Sequence, residues 1–172
     1  MELYRTTEYS GIVSVNVERR VVGPGSAELV EEAWKLKERI RREDGVLKQR
    51  KGFFTNAYRR SATHLLVRSP DEAVIGFAAV RRDGYLLFLA VAAEFRGEGF
   101  GADLVGAAAE DRETVSCHAR TSNDGAVSFY EHLGFEIERR VDNYYEDGGA
   151  AFYLTLGEER SGLKDRLTSR FF

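Results

Sequence analysis

The sequence has few of the residues that cross-link or stiffen small proteins. Its 172 residues include one cysteine, Cys117, and two prolines, which excludes an internal disulfide and a cysteine-rich metal site. A lone cysteine fits a reducing compartment, and a chain of this length buries roughly 70% of its unfolded surface without such cross-links. Repeats, low-complexity tracts and proline-rich linkers are lacking. We therefore expect a single domain over residues 1–172, with a core at 15–156 and a C-terminal tail at 157–172.

Long apolar runs are lacking as well. The longest, residues 85–93, is far shorter than the roughly 20 residues that cross a bilayer. The first segment, MELYRTTEYS, has no apolar stretch of the kind found in signal peptides. We expect a soluble, cytoplasmic protein without membrane contact. His64 and His132 are interpreted as structural or exposed, and no histidine pair has metal-ligand spacing, so no metal is expected.

Charge is uneven along the chain. The net charge of −3 gives the whole molecule no general attraction for nucleic acid, yet residues 35–60 hold ten Lys or Arg against three Asp or Glu. One interpretation is a solvated helix face with pairs such as Glu38 and Arg42. The other is a contact to an anionic partner such as RNA or a ribosome.

Periodicity and turn residues predict a mixed α/β fold with element order β-α-α-β-β-β-α-β-α-β-β. Ser26 is a candidate N-cap for the first helix, and RRDG at 81–84 is a strong hairpin turn. YLLFLAV, residues 85–91, reads as a central strand buried on both faces. The first helix is predicted to bury one face, formed by Leu29, Ala33, Leu36 and Ile40.

A glycine-rich turn follows that strand, in EFRGEGFGADL at 94–104. Gly97, Gly99 and Gly101 leave the backbone bare where a strand gives way to a helix, and Arg96 adds a charge. Free N–H groups and the helix dipole suit a phosphate there, although tight strand-to-helix packing alone also favours glycine. A Walker A loop is excluded because no GK[ST] follows, and the dinucleotide spacing G-x-G-x-x-G is absent.

Three segments carry a family resemblance. AVAAEFRGEGFGADL resembles the R-x-x-G-x-G motif of the Gcn5-related N-acetyltransferases (GNAT), and HARTSNDGAVSFYEHLGFEI resembles their second signature. VDNYYEDGGAAFYL resembles the tyrosine-pair segment of protein N-terminal acetyltransferases, of the ribosomal-protein alanine type and its archaeal and eukaryotic relatives. The resemblance covers roughly residues 15–156 and implies the GNAT fold, with a mixed, mostly antiparallel central sheet.

The resemblance also implies acetyl-CoA as co-substrate and assigns residues to it. The backbone of the strand would bond the pantetheine arm and polarise the acetyl carbonyl, the glycine turn would hold the pyrophosphate, and Asn123 would bond the pantetheine. The implied ligand-binding residues are Leu89, Ala90, Val91, Arg96, Gly97, Glu98, Gly99, Phe100, Gly101, Ala102, Asn123 and Tyr130.

Three residues are implied in proton transfer. His118 stands where relatives carry the general base, and its ordinary pKa of about 6.5 suits that role at neutral pH. Tyr130 would protonate the leaving thiolate, and Tyr85 matches a tyrosine that assists the base. The alternatives are a packed strand histidine and a half-buried core aromatic. Strand alternation places His118 opposite Cys117, which is interpreted as a small core residue.

The acceptor is expected to be the N-terminal amine of a protein or peptide, held by Tyr144, Tyr145 and Phe53. Phe54 and Tyr58 extend that apolar wall or belong to the core. The chain departs from its relatives in having Gly-Ala-Ala at 149–151 instead of an acidic pair. The alternatives are a small-molecule amine acetyltransferase and a non-catalytic acyl-CoA-binding module. A monomer or homodimer is expected.

Overall fold

The structure, a computed structural model, describes residues 4–8 and 14–157. Contacts divide the chain into two compact units. Of the described residues, the first unit comprises 4–8, 14–82 and 87–108, and the second comprises 83–86 and 109–157. Each unit has a β-sheet with a helix packed on it. Apart from its first residue, the predicted C-terminal tail at 157–172 lies outside the described residues.

The first unit is built on a five-stranded sheet in the order β1-β2-β3-β4-β5. Its strands are β1 (Tyr4–Glu8), β2 (Ser14–Val22), β3 (Ala62–Ser69), β4 (Ala73–Val80) and β5 (Leu86–Val91). Four of them confirm the sequence prediction. Strand β1 was not predicted, because its polar sequence YRTTE has no apolar alternation, and its antiparallel pairing with β2 defines it as a strand.

The helices of this unit are α1 (Val30–Asp44), α2 (Lys51–Arg59) and α3 (Phe100–Ala109), with a 3₁₀ turn at Ala93–Phe95. The buried face of α1 contains Ala33, Leu36 and Ile40, as predicted. The expectation that Ser26 caps α1 is wrong. Its Oγ accepts a hydrogen bond from the Glu28 N–H (3.1 Å) in the preceding turn, and the helix starts after Leu29, whose φ is 58°.

The core of the first unit is aromatic, and α1 packs on β4 beside it. Phe54 is fully buried, with its ring centroid 5.5 Å from Trp34, 5.8 Å from Phe77 and 5.0 Å from Phe88. The expectation that β5 is central and buried on both faces is wrong. It is the last strand of its sheet. Only alternate residues are buried, and the others, such as Leu89, are half-buried.

The second unit has a three-stranded sheet in the order β6-β8-β7. Its elements are β6 (Val115–Arg120), α4 (Asp124–Leu133), β7 (Glu136–Val141) and β8 (Ala151–Leu156). Gly134 ends α4 with a φ of 103°, the left-handed conformation that favours glycine at a helix C-cap. The pairing of β6 with β8 sets His118 opposite Tyr153. Among the described helices, none is long and apolar enough to cross a membrane.

Candidate active site

Tyr85 is fixed by the hairpin turn that precedes β5. Gly84 has a φ of 84°, and a Cβ added there would lie 2.1 Å from the carbonyl oxygen of Thr114. Its own carbonyl accepts a hydrogen bond from the Ser116 N–H (3.1 Å), and Tyr85 forms a parallel bridge with Ser116. Only glycine tolerates both the φ and the approach. The turn therefore sets Tyr85 beside β6. The Asp-Gly dipeptide predicts the turn from sequence, but it does not predict this placement of Tyr85.

His118 lies on β6 and faces away from the buried Cys117, in agreement with the strand alternation. Its Nδ1 is 2.7 Å from the Tyr85 hydroxyl oxygen. Tyr144 stacks on its ring at 4.2 Å with an interplanar angle of 10°, and Tyr153 is tilted against it at 5.0 Å. Three tyrosine rings thus hold the orientation of one imidazole.

A second hydrogen bond extends this cluster. The Tyr85 and Tyr144 hydroxyl oxygens are 3.2 Å apart, and either can donate. The three polar groups therefore form a chain from His118 through Tyr85 to Tyr144. We call these residues, with Tyr153, the histidine cluster.

The histidine cluster favours a neutral imidazole. Partial burial lowers the pKa of His118, and the positive charge of Arg139 lowers it further. Burial raises the pKa of Tyr85, so its phenol keeps its proton. At neutral pH the histidine is thus in the form that accepts a proton, next to a protonated phenol.

Tyr130 lies on α4 and is buried, with 8% of its surface exposed. Burial raises its pKa well above the usual value, and its side chain forms a hydrogen bond with Cys117. Burial also raises the pKa of Cys117 to about 12. The thiol is therefore a poor nucleophile. Tyr130 stays protonated, and its side chain is hydrogen-bonded to the sulfur of Cys117.

Asn123 caps α4. Its Oδ1 accepts a hydrogen bond from the Ala126 N–H at 3.1 Å. This capping role was not predicted, although Asn followed by Asp-Gly before an apolar stretch is a helix-start signal. Because one lone pair of Oδ1 is engaged, the second lone pair and the Nδ2 amide N–H groups are the sites left for a ligand.

The loop after β7 carries the tyrosine pair. The N–H groups of Tyr144 and Tyr145 both donate to the carbonyl of Gly149, at 3.0 and 3.1 Å. Arg120 lies 3.9 Å over the Tyr145 ring and donates to Asp147 at 3.0 Å. Burial raises the pKa of Tyr145 to about 12.

Gly149 gives this loop room for the arginine. A Cβ at Gly149 would lie 2.6 Å from Nη1 of Arg120. Any larger residue would displace the guanidinium from Asp147. Residues 149–151 have no acidic side chain, and Asp147 supplies the carboxylate that orders this loop, through the Arg120 guanidinium and the Gly149 N–H.

The glycine turn of the first unit leaves open backbone, as its sequence predicts. Gly97 and Gly99 have φ values of 80° and 83°, and a Cβ at Gly97 would meet nothing within 4 Å. The first hydrogen bond of α3 runs from the Asp103 N–H to the Gly99 carbonyl (3.0 Å). The N–H groups of Gly101 and Ala102 precede it, so they have no acceptor within the helix. Such donors fit an anionic group.

Arg96 does not stand alone beside this turn. Its guanidinium donates to Asp44 at the end of α1 (2.7 Å) and to the Val91 carbonyl (3.0 Å). A second ion pair joins Arg39 of α1 to Glu94, so here the cation is on the helix and the carboxylate is beside the turn. Neither pair was predicted from sequence. The turn is thus braced to α1 by two ion pairs of opposite polarity.

The predicted apolar wall on α2 divides into two kinds of residue. Phe54 and Tyr58 are fully buried, and the Tyr58 hydroxyl donates to the Glu28 carbonyl (2.5 Å), so both belong to the core. Phe53 is 57% exposed, with an edge contact to Phe88 at 6.5 Å. Only Phe53 is available to a ligand.

The described residues hold no group of three histidine, cysteine or acidic side chains that could bind a metal. The other predicted ligand residues lie as follows. Leu89 and Val91 are half-buried on β5 while Ala90 is buried, and Glu98 is exposed in the glycine turn.

Comparison with known proteins gives the lineage. The model of the Acetyltransferase (GNAT) domain matches residues 44–153. The N-alpha-acetyltransferase MAK3 of Arabidopsis thaliana is 37% identical over 78 residues, which are 42% of this chain and 41% of that protein. The chain spans about half the length, or less, of the curated relatives that it matches first.

Solved structures agree with this fold. A ribosomal-protein alanine N-acetyltransferase of Escherichia coli has a TM-score of 0.64 at 22% identity, over 84% of this chain and 96% of that one. NAA60 of Arabidopsis thaliana, in complex with acetyl-CoA, has a TM-score of 0.63 at 18% identity, over 82% and 99%. With the family model spanning more than half of the sequence, the prediction is confirmed: this chain belongs to the GNAT acetyltransferase family.

Proposed function

We propose that the protein is an N-terminal acetyltransferase that moves the acetyl group of acetyl-CoA directly to the N-terminal amine of a protein or peptide. One observation carries the proposal: in a member of the GNAT family, His118 contacts the Tyr85 hydroxyl, which in turn contacts the Tyr144 hydroxyl, and the Tyr144 ring stacks on the imidazole. The N-alpha-acetyltransferase relatives support this acceptor class. The proposal treats residues 15–156 as one acetyltransferase domain, and the matched segment 44–153 supports that.

Acetyl-CoA fits the residues of the glycine turn. The open space at Gly97 and the N–H groups at the start of α3 suit the pyrophosphate. The backbone of residues 89–91 and the side-chain amide of Asn123 would hold the pantetheine arm. When bound, acetyl-CoA supplies an activated thioester. Arg96 reaches the pyrophosphate only by giving up or sharing its contact with Asp44.

His118 removes the proton of the incoming amine. An amine attacks a thioester only as the free base, so a neutral imidazole that accepts its proton lowers the barrier. The lowered pKa of His118 keeps that form populated at neutral pH. Tyr85 engages Nδ1, so Nε2 is the nitrogen left to face the amine.

Tyr130 supplies a proton on the leaving-group side. Its raised pKa keeps the phenol protonated, and its hydrogen bond with the Cys117 thiol supports a role beside a sulfur atom. In the reaction it would turn from that thiol to the departing thiolate, which develops negative charge. Burial strengthens such a hydrogen bond, because water does not compete for it.

The tyrosine loop would bind the acceptor peptide, with Phe53 as an exposed apolar contact. Tyr144 is 41% exposed although it stacks on His118, so its outer face is open to a substrate. The braced conformation of the loop, with Arg120 on Asp147 and Tyr145, presents this face without a large ordering cost.

A contact of the basic stretch with RNA or a ribosome stays a prediction, as does the monomeric or homodimeric state. Several cations of residues 35–60 are engaged within the chain, including Arg39 with Glu94, Arg41 with Glu38 and Lys51 with Glu31. These pairs favour the solvated-helix interpretation of that stretch.

The test is release of CoA thiol from acetyl-CoA by the purified chain. Acceptors are peptides that begin with Ser, Ala, Met or Glu, beside spermidine and free amino acids, and mass spectrometry locates the acetyl group. We expect turnover on a subset of the peptides at the α-amine. His118→Ala should lower kcat/KM by about 100-fold or more, and Tyr130→Phe should lower kcat with little change in KM.

His132→Ala is the matched control, since it removes an exposed histidine of α4 outside the histidine cluster, and it should leave turnover unchanged. Equal turnover by His118→Ala and the wild type would contradict the proposed base. Turnover on spermidine or amino acids alone would replace the acceptor class with small amines. Acetyl-CoA binding without any turnover would favour a binding module.

A further inference from the structure

Tyr144 is assigned so far only to the acceptor peptide, yet its hydroxyl belongs to the hydrogen-bond chain of the histidine cluster. The chain contains two links, between His118 Nδ1 and the Tyr85 oxygen (2.7 Å) and between the Tyr85 and Tyr144 oxygens (3.2 Å). The Tyr85 hydroxyl has a single proton and stands in the middle. The direction in which it donates decides which nitrogen of His118 carries the proton.

Two arrangements keep the Tyr85 proton within the chain. In the first, Tyr85 donates to Nδ1 of His118 and Tyr144 donates to Tyr85, so neutral His118 carries its proton on Nε2. In the second, Nδ1–H donates to Tyr85 and Tyr85 donates to Tyr144, so Nε2 has the free lone pair. The link between Tyr85 and His118 has an ordinary hydrogen-bond length in either direction, and the link between the two hydroxyl oxygens is a longer one that either can donate.

Only the second arrangement leaves a nitrogen that can take a proton from a substrate amine. In the first, Nδ1 is occupied by the Tyr85 proton and Nε2 already carries one. The second arrangement needs an acceptor for the Tyr85 proton, and the Tyr144 oxygen provides one. The same tyrosine fixes the ring plane of His118 by stacking at 4.2 Å.

We propose that Tyr144 is a positioning residue for the base: its hydroxyl oxygen accepts the Tyr85 proton and thereby selects the Nδ1–H tautomer of His118. The inference rests on the proposed function for its catalytic consequence. The tautomer itself is a property of the protein alone. A peptide that drew Tyr144 away from His118 would weaken the base, so the acceptor and the base compete for one side chain.

The substitution Tyr144→Phe removes the hydroxyl and keeps the ring. We expect imidazole nitrogen chemical shifts, measured by NMR at a pH of about 8 without acetyl-CoA, to show Nδ1–H as the main tautomer in the wild type. In Tyr144→Phe the ratio should move towards Nε2–H by about threefold or more. The chain has three histidines, so resonances are assigned with His64→Gln and His132→Gln.

Tyr153→Phe is the matched control. Tyr153 also contacts the His118 ring, but its interactions are ring contacts with His118 and Arg139. Loss of the Tyr153 hydroxyl should leave the tautomer ratio of His118 unchanged. In a Tyr85→Phe background the middle link is gone, so adding Tyr144→Phe should have no further effect on the ratio.

Activity gives an independent readout. At the pH plateau, Tyr144→Phe should lower kcat/KM by about the factor by which the competent tautomer falls. An Nε2–H wild type, or an unchanged ratio in Tyr144→Phe, would overturn the inference. A shifted ratio in a protein with no turnover on any amine would support it and reject the proposed function, whereas lost activity with an unchanged ratio would assign Tyr144 to the substrate alone.

Discussion

The glycine turn of the first unit and the histidine cluster of the second are held in different ways. The turn is braced by exposed ion pairs, Asp44 with Arg96 and Arg39 with Glu94. The cluster is held by ring contacts and by hydrogen bonds between neutral groups around His118. Charge organises the region proposed to bind an anion, and neutral aromatic packing organises the region proposed to move a proton.

This difference has a physical consequence. Salt screens exposed ion pairs, while ring packing and neutral hydrogen bonds depend little on ionic strength. The conformation of the turn should respond to salt and to an arriving phosphate, whereas the orientation of His118 should not. Substitutions in one region should therefore leave the observables of the other unchanged.

Gly97→Val is expected to have the largest effect on the glycine turn while leaving the histidine cluster unchanged. The φ of 80° at Gly97 strains a β-branched residue, although a Cβ there would meet nothing within 4 Å. The strain should shift the path of the turn and weaken acetyl-CoA binding by about tenfold or more, which calorimetry measures. His118 resonances should keep their positions. Gly97→Ala should act in the same direction with a smaller effect, and His118 shifts as large as the loss of binding would contradict the separation.

Much of the fold follows from local sequence signals. Alternation, apolar content and turn residues predicted strands β2 to β8, and the glycines at 45 and 134 are local signals for the ends of α1 and α4. Strand alternation also placed His118 away from Cys117, because side chains alternate across a sheet. The glycine turn was predicted because its backbone requirement is local.

The rest depends on partners far apart in the sequence. Tyr85 and Tyr144 are 59 residues apart, and Arg96 and Asp44 are 52 apart. No periodicity specifies such pairs. Lys37 is a further case: it is fully buried on α1, where its Nζ donates to the Gln49 carbonyl and lies 4.5 Å from the Trp34 ring. A lysine is ordinarily exposed, so composition alone cannot predict this position.

A moderate effect is expected from Arg139→Gln on the pH profile. The groups facing His118 are Tyr85, Tyr144 and Tyr153, with Arg139 over Tyr153 at 4.5 Å. Burial and then the Arg139 charge lower the pKa of His118.

Removing this charge favours the imidazolium, so the pKa of His118 should rise. The rising limb of kcat/KM, which needs the neutral base, should move to higher pH. Acetyl-CoA affinity should not change. Arg140→Gln, an exposed neighbour paired with Asp142, is the control. A limb that moves to lower pH, or does not move, would show that the Arg139 charge does not act on His118.

The smallest effect, and the sharpest test of the charged brace, is Asp44→Asn. Asp44 and Arg96 are 34% and 44% exposed, so their pairing is weak in free energy. It nevertheless competes with a pyrophosphate for one guanidinium. Without the carboxylate, Arg96 keeps its bond to the Val91 carbonyl and its remaining N–H groups can face the ligand.

Acetyl-CoA should therefore bind Asp44→Asn about two- to threefold more tightly at low salt, and the gain should vanish at high salt. Asp142→Asn, which removes an exposed carboxylate of the second unit, should show no gain. Weaker binding by Asp44→Asn would mean that the ion pair presents Arg96 to the ligand instead of competing for it. The brace would then be a preorganised part of the anion site, and the turn would resemble the histidine cluster in being fixed before its ligand arrives.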